Sequence, residues 1–147
     1  MSWSAWWVAA AALMQVALVL GLLGYLGWIR IPLVMRGEIR LREVALSREP
    51  WPEREKKVSN AVDNQFQLPT LFYVGVLCVL ATSATLLDVA LCWAFVITRY
   101  IHAFIFITDN HVTRRFLAYS VGYLILCLLW LTLAFRLLAI FLAFGLH

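Results

Sequence analysis

Charge is what this sequence has least of. Only 14% of its 147 residues are charged and 64% are apolar, whereas about a quarter of a soluble domain is charged. With a mean hydropathy of +0.87, the chain cannot build a surface that faces water on all sides. Cysteine is also sparse. Cys78, Cys92 and Cys127 fall inside apolar runs, with no CxxC spacing and no histidine nearby, and read as small core residues. His102, His111 and His147 lie on separate segments without HxxxH or HExxH spacing, so no metal is expected. The net charge of +4 is modest, and the bases of Arg36–Lys57 alternate with acids, so no stripe for nucleic acid is expected. Met1-Ser-Trp-Ser carries no positive charge before the first apolar run, which argues against a secretory signal. No internal repeat or low-complexity tract is visible.

Long apolar runs fill the space left. Spanning a bilayer as helix takes about 20 such residues, and four runs qualify, at about 5–29, 60–87, 89–108 and 116–146. Residues 1–147 therefore read as a single all-α domain, an integral membrane four-helix bundle. Gly21, Gly24 and Gly27 in the first run would permit close helix approach. The stretch Gly37–Leu46 is expected to prolong the first helix beyond the bilayer. Pro50 and Pro52 break the long first connection. Arg30, Arg36, Arg40, Arg42, Arg48, Arg54, Lys56 and Lys57 lie in that connection, and Arg114 and Arg115 in the third. The N-terminus and the second connection have no Lys or Arg, so the first and third connections are expected in the cytoplasm and both termini opposite. Arg136, near the far interface, is expected to snorkel to headgroups.

Against this apolar background, Arg99 and His102 stand three residues apart in the third run. An ionisable group at that depth is costly unless it faces protein or a wet cavity, and a spacing of three puts both on one helical face. Phe106 and Asn110 continue the stripe. The second run opens with Asn60, Asp63, Asn64 and Gln67 on one face, just before Pro69, where a kink is expected. The fourth opens with Arg115, Tyr119, Gly122 and Tyr123. The expected topology puts all three stripes at the cytoplasmic side, with Arg99 about 13 Å below Thr108. Amides, a carboxylate and cations would then line one cavity. The bland alternative is that these groups only satisfy one another, with Asp63 neutralising Arg99 and Arg114 marking topology. Ser83 and Asp88 fall at the opposite side from His102, so no nucleophilic triad is supported.

Gly37-Glu-Ile-Arg40-Leu-Arg42, the Asn60–Pro69 stripe, Arg99-x-x-His102 and Arg115-x-x-x-Tyr119 resemble the MAPEG family, the membrane-associated proteins in eicosanoid and glutathione metabolism, and in particular its microsomal glutathione transferase-like members. With the spans they order, these pieces cover most of the chain. The resemblance implies a four-helix protomer forming a homotrimer, with glutathione as co-substrate bound between protomers at the cytoplasmic side. Arg40, Asn60, Asp63, Asn64, Gln67, Arg99, His102 and Arg114 would bind or support it. Arg115 and Tyr119 would be catalytic, Arg115 steadying the thiolate. The family's Asn-x-x-acid pattern fits in two registers, Asn60 with Asp63 or Asn64 with Gln67. Phe106 stands where many members carry a tyrosine.

Glutathione carries two carboxylates and one ammonium, which suits arginine forks with an acidic or amide partner. A nearby arginine favours thiolate, the nucleophilic form. The expected activity is glutathione-dependent transfer to a lipophilic electrophile, or reduction of a lipophilic hydroperoxide, within the lipid bilayer. The alternative is a non-catalytic glutathione- or lipid-binding protein of the same fold. A transporter is disfavoured, since no paired discontinuous helices or inverted repeat is visible. Short extramembrane parts and no sorting signal suggest a bacterial inner membrane.

Overall fold

A computed structural model of the chain describes residues 2–144; the end of the fourth expected span, at Leu146, lies outside them. The element order is α1 (Trp3–Met35), α2 (Leu41–Val44), α3 (Glu53–Asp63), a 3-10 turn (Asn64–Phe66), α4 (Leu68–Ala81), α5 (Leu86–Ile107) and α6 (Val112–Phe144). There is no strand among the described residues. Four helical stretches are long and apolar enough to cross a membrane: Trp3–Met35, Glu53–Ala81, Leu86–Ile107 and Val112–Ala143. The protein is an all-α, integral membrane four-helix bundle.

Local chemistry sets the helix ends. Ser2 caps α1, its Oγ accepting from the Ala5 N–H at 3.2 Å. The helix stops at Met35 instead of running on through Leu46, because Gly37 turns the chain with φ +73°, a conformation that suits glycine. The second span begins at Glu53 instead of Asn60, with Pro52 in the preceding position. It breaks where a kink was expected. Pro69 has no N–H to offer the carbonyl four residues back, and the chain passes through a 3-10 turn and Gln67 (φ −97°, ψ −100°) into α4. This span ends at Ala81, not Leu87. Thr82 closes α4, Ser83 turns at φ +73°, and Thr85 with Asp88 forms a capping box for α5. Leu86 and Leu87 therefore belong to the third helix, which hydropathy alone does not reveal.

Two apolar clusters hold the bundle. Leu68, Phe72, Val76 and Val79 of α4 pack with Val8 and Ala11 of α1, Cys92, Phe95 and Val96 of α5, and Leu126, Leu129 and Leu133 of α6. The Phe72 and Phe95 rings stack at 4.6 Å. Nearer the basic connections, Leu22, Leu26, Val58, Ala61, Val62, Ala103 and Phe106 form the second cluster. The helices α5 and α6 approach closely at Gly122, where a Cβ would stand 2.8 Å from Thr98 Oγ1. By contrast, Gly21, Gly24 and Gly27 have nothing within 4 Å of where a Cβ would lie, so they mediate no close helix approach among the described residues. Cys92 is buried, Cys78 and Cys127 are half-buried, and all three are free thiols.

Several polar groups pair across the bundle. Gln15 Nε2 donates to Gln65 Oε1 at 3.0 Å, and Gln65 Nε2 to the Ala61 carbonyl at 3.2 Å, tying α1 to the break in the second span. Arg30 meets the buried Glu55 at 2.6 Å and lies 5.1 Å over the Trp51 ring. Arg136 does not simply reach for headgroups. Its Nη2 pairs with the fully buried Asp88 at 2.6 Å, and its Nη1 donates to Thr82 Oγ1 at 3.2 Å and the Ser83 carbonyl at 3.3 Å. An available carboxylate at close range outcompetes a distant headgroup, and lone residue spacing could not reveal that partner.

Candidate functional site

The break at Gln67 and the α5–α6 connection lie at one end of the bundle. Lys57 Nζ of α3 donates to the Thr108 carbonyl at 3.4 Å, so the first and third connections share that end. Here the three polar stripes meet. A pocket of about 220 Å³ is lined by Asn64, His102, Phe106, Val112, Arg115, Phe116 and Tyr119.

Arg99 forms the deep boundary of this region. It is fully buried, and its Nη2 donates to the Asn64 backbone carbonyl at 3.1 Å. Its Nε and Nη1 are buried without a partner among the described residues, as is His102 Nδ1. Buried polar atoms are nearly always paired, and a buried, unneutralised guanidinium is costly. Mutual satisfaction therefore does not account for this cluster. The His102 ring lies 5.6 Å from Phe106 and 6.0 Å from Tyr119 between centroids. Arg115, on the first turn of α6, sits with its guanidinium carbon 4.1 Å over the Phe106 ring and donates from Nη1 to Asn110 Oδ1 at 2.6 Å.

The structure thus gathers Asn64, Arg99, His102, Arg115 and Tyr119. It does not bring the other candidates to that pocket within this chain. Asp63 does not neutralise Arg99. Its carboxylate meets Arg48 at 2.6 Å, and Arg48 also donates to Asn60 Oδ1 at 3.3 Å. The hydrogen bond and charge of Asp63 raise the Arg48 guanidinium above its ordinary range. Gln67 is exposed. Arg40 is exposed and 3.8 Å from Glu43; Arg114 is exposed and 3.2 Å from Asp109. Of the two registers, Asn64 is the amide that reaches the pocket. Tyr123 is half exposed and does not line it.

Sequence reasoning passed over Val112 and Phe116, whose only signal was a position one turn before Arg115 and Tyr119. It also gave no role to Arg48, since a loop residue has no periodicity to betray its partner. A pocket-lining guanidinium, an imidazole, a phenol and an amide in an apolar surround, with a second guanidinium buried behind Asn64, can hold a small anion, such as a thiolate or carboxylate, away from water. Low surrounding polarity strengthens such contacts.

A family model described as MAPEG family matches residues 4–135. No curated protein and no solved structure matches the chain.

Proposed function

The chain belongs to the MAPEG family, and from that premise we propose that it is a membrane-embedded, glutathione-dependent transferase or peroxidase. Its substrate is a lipophilic electrophile or hydroperoxide. The observation that carries this reading is the pocket where Arg115, Tyr119, His102 and Asn64 meet above the incompletely satisfied Arg99.

In this reading Arg115 faces the glutathione sulfur and favours its ionised form, with the thiol proton passing to solvent. Tyr119 donates a hydrogen bond to the same sulfur. The free N–H groups of Arg99 and the His102 and Asn64 side chains take up the peptide's polar groups. With a chloronitroarene, the sulfur bonds to the ring carbon that bears chlorine and chloride leaves. With a hydroperoxide, two glutathiones become one disulfide as the hydroperoxide becomes alcohol and water. The electrophile approaches from the bilayer, where apolar substrates concentrate.

A pocket of about 220 Å³ is smaller than the roughly 300–1,000 Å³ of a typical small-molecule site. One protomer therefore holds only part of a tripeptide. That supports a homotrimer in which the remainder lies on a neighbour, where the exposed Arg40, Asn60, Asp63, Gln67 and Arg114 can contribute. The Lys/Arg asymmetry supports a cytoplasmic position for this end of the bundle, with a bacterial inner membrane as the proposed setting.

The test is a paired measurement on detergent-purified protein at millimolar glutathione: thermal stability, and turnover of a chloronitroarene or a lipid hydroperoxide. A stabilising shift with turnover is expected. A shift without turnover would select the non-catalytic binding reading, which Phe106 in place of a phenol favours. The absence of both shift and turnover would refute both glutathione readings.

A further inference from the structure

We infer that Asn110 and Phe106 are positioning residues that hold the Arg115 guanidinium over the pocket while leaving its positive charge uncancelled. The inference rests on the glutathione reading for its chemical consequence, although the clamp itself is a statement about the protein alone.

Arg115 is badly placed to hold still unaided. It lies on the first turn of α6, where the helix dipole is positive and disfavours a cation. Its long side chain also has many rotamers to lose. Several other arginines are steadied by carboxylates, although Arg54, outside this pocket, rests on the Tyr25 hydroxyl and ring. Arg114, its neighbour, pairs with Asp109 at 3.2 Å. Arg30, Arg48 and Arg136 pair with Glu55, Asp63 and Asp88, each at 2.6 Å. Each of those guanidiniums has its charge largely offset. The two contacts of Arg115 are neutral: an amide oxygen at 2.6 Å and an aromatic face 4.1 Å from the guanidinium carbon. Both acceptors are electron-rich and neither carries a net charge.

The backbone explains why asparagine serves. Asn110 has φ +53°, in the left-handed region that asparagine, aspartate and glycine tolerate best. Its N–H donates to the Ile105 carbonyl at 2.8 Å, closing the end of α5. The same turn carries its side chain to α6. Glycine would make the turn and drop the hydrogen bond. Aspartate would make the turn and keep the hydrogen bond but cancel the charge. Asparagine alone of the three gives position without neutralisation.

Two readouts on the full-length protein in detergent test this. The first needs no glutathione. In arginine-¹⁵N-labelled protein, with Arg115→Lys used only for assignment, the Arg115 guanidinium should rotate slowly and show resolved Nη signals. Asn110→Asp should keep them and Asn110→Gly should collapse them. The second is ultraviolet titration of bound glutathione, reading thiolate against pH. Asn110→Asp and Phe106→Leu should each move ionisation up by about one pH unit, the size expected from offsetting or loosening one nearby charge. Phe106→Tyr, which keeps the π face, should recover most of the Phe106→Leu shift. A merely structural role would make Asn110→Asp the best-tolerated change, titrating as the wild type. That result overturns the inference, as does a freely rotating Arg115 in the wild type. If the wild type binds no glutathione, the proposed function fails, and the guanidinium signals alone uphold or overturn the clamp.

Discussion

Arg115→Ala lowers turnover at saturating glutathione by about 10² to 10³-fold, the loss typical of removing one donor to a developing or resident anion in a water-poor site. The reason is local. Arg115 lines the pocket beside Tyr119 and His102, and no carboxylate pairs with it among the described residues. Arg99 is too committed to replace it, since it is fully buried and one of its N–H groups is bound to the Asn64 carbonyl. Arg115→Lys is expected to keep part of the activity, because charge survives but the planar fork does not. Half-buried Arg115 ties no distant elements together, so the thermal midpoint should move little. A loss of turnover that merely follows loss of folded protein would count against the role assigned to it. Steady-state kinetics with a chloronitroarene, alongside circular-dichroism melting of each variant, separates the two.

Asp88→Ala is expected to give the largest stability loss, about 3–5 kcal/mol, as when one partner of a buried ion pair is removed. The Asp88 side chain is fully buried, Arg136 is 17% exposed, and they meet at 2.6 Å. The same carboxylate oxygen accepts from the Thr85 N–H at 2.8 Å and the Thr85 hydroxyl at 2.7 Å, so α5 would also lose the carboxylate half of its capping box, keeping only the bond from the residue-88 N–H to Thr85 Oγ1. Its partner Arg136 would be left without a counter-charge, with only the Thr82 hydroxyl and Ser83 carbonyl as acceptors. The double variant Asp88→Ala/Arg136→Leu should recover much of the loss, because an apolar replacement of a buried pair can be neutral. Fourteen residues of helix separate Asp88 from His102, about 21 Å along α5. Glutathione binding by the folded fraction should therefore be unchanged. Equilibrium unfolding in detergent checks the prediction; a double variant no more stable than the single one would contradict it.

The architecture was legible because hydrophobic length is a one-dimensional property. Four apolar runs are visible without knowing what any residue touches, and the break near Pro69 follows from a missing N–H. Helix ends were less legible. Thr85 and Asp88 close a box across three residues inside what hydropathy reads as continuous apolar sequence. Gly37 ends α1 through its backbone conformation alone.

The site divides the same way. Arg99, His102, Arg115 and Tyr119 are on helices, so spacing predicted their shared faces and topology their shared end. Asp63 could not be assigned by spacing, because its partner Arg48 lies in the irregular connection between α2 and α3. Arg136 failed for the same reason, its partner being forty-eight residues away on another helix. What spacing cannot carry is distance between elements. It therefore put Asn110 on the helical stripe, whereas α5 ends at Ile107 and Asn110 bonds Arg115 from the left-handed turn beyond.

In the proposed function this end of the bundle holds a glutathione sulfur in its ionised form. Ultraviolet difference spectroscopy of the wild-type protein with glutathione near neutral pH tests it most directly. A thiolate band well above that of free glutathione at the same pH, and lost in Arg115→Ala, is the expected result. A band no larger than that of free glutathione, in protein that demonstrably binds the peptide, would contradict it.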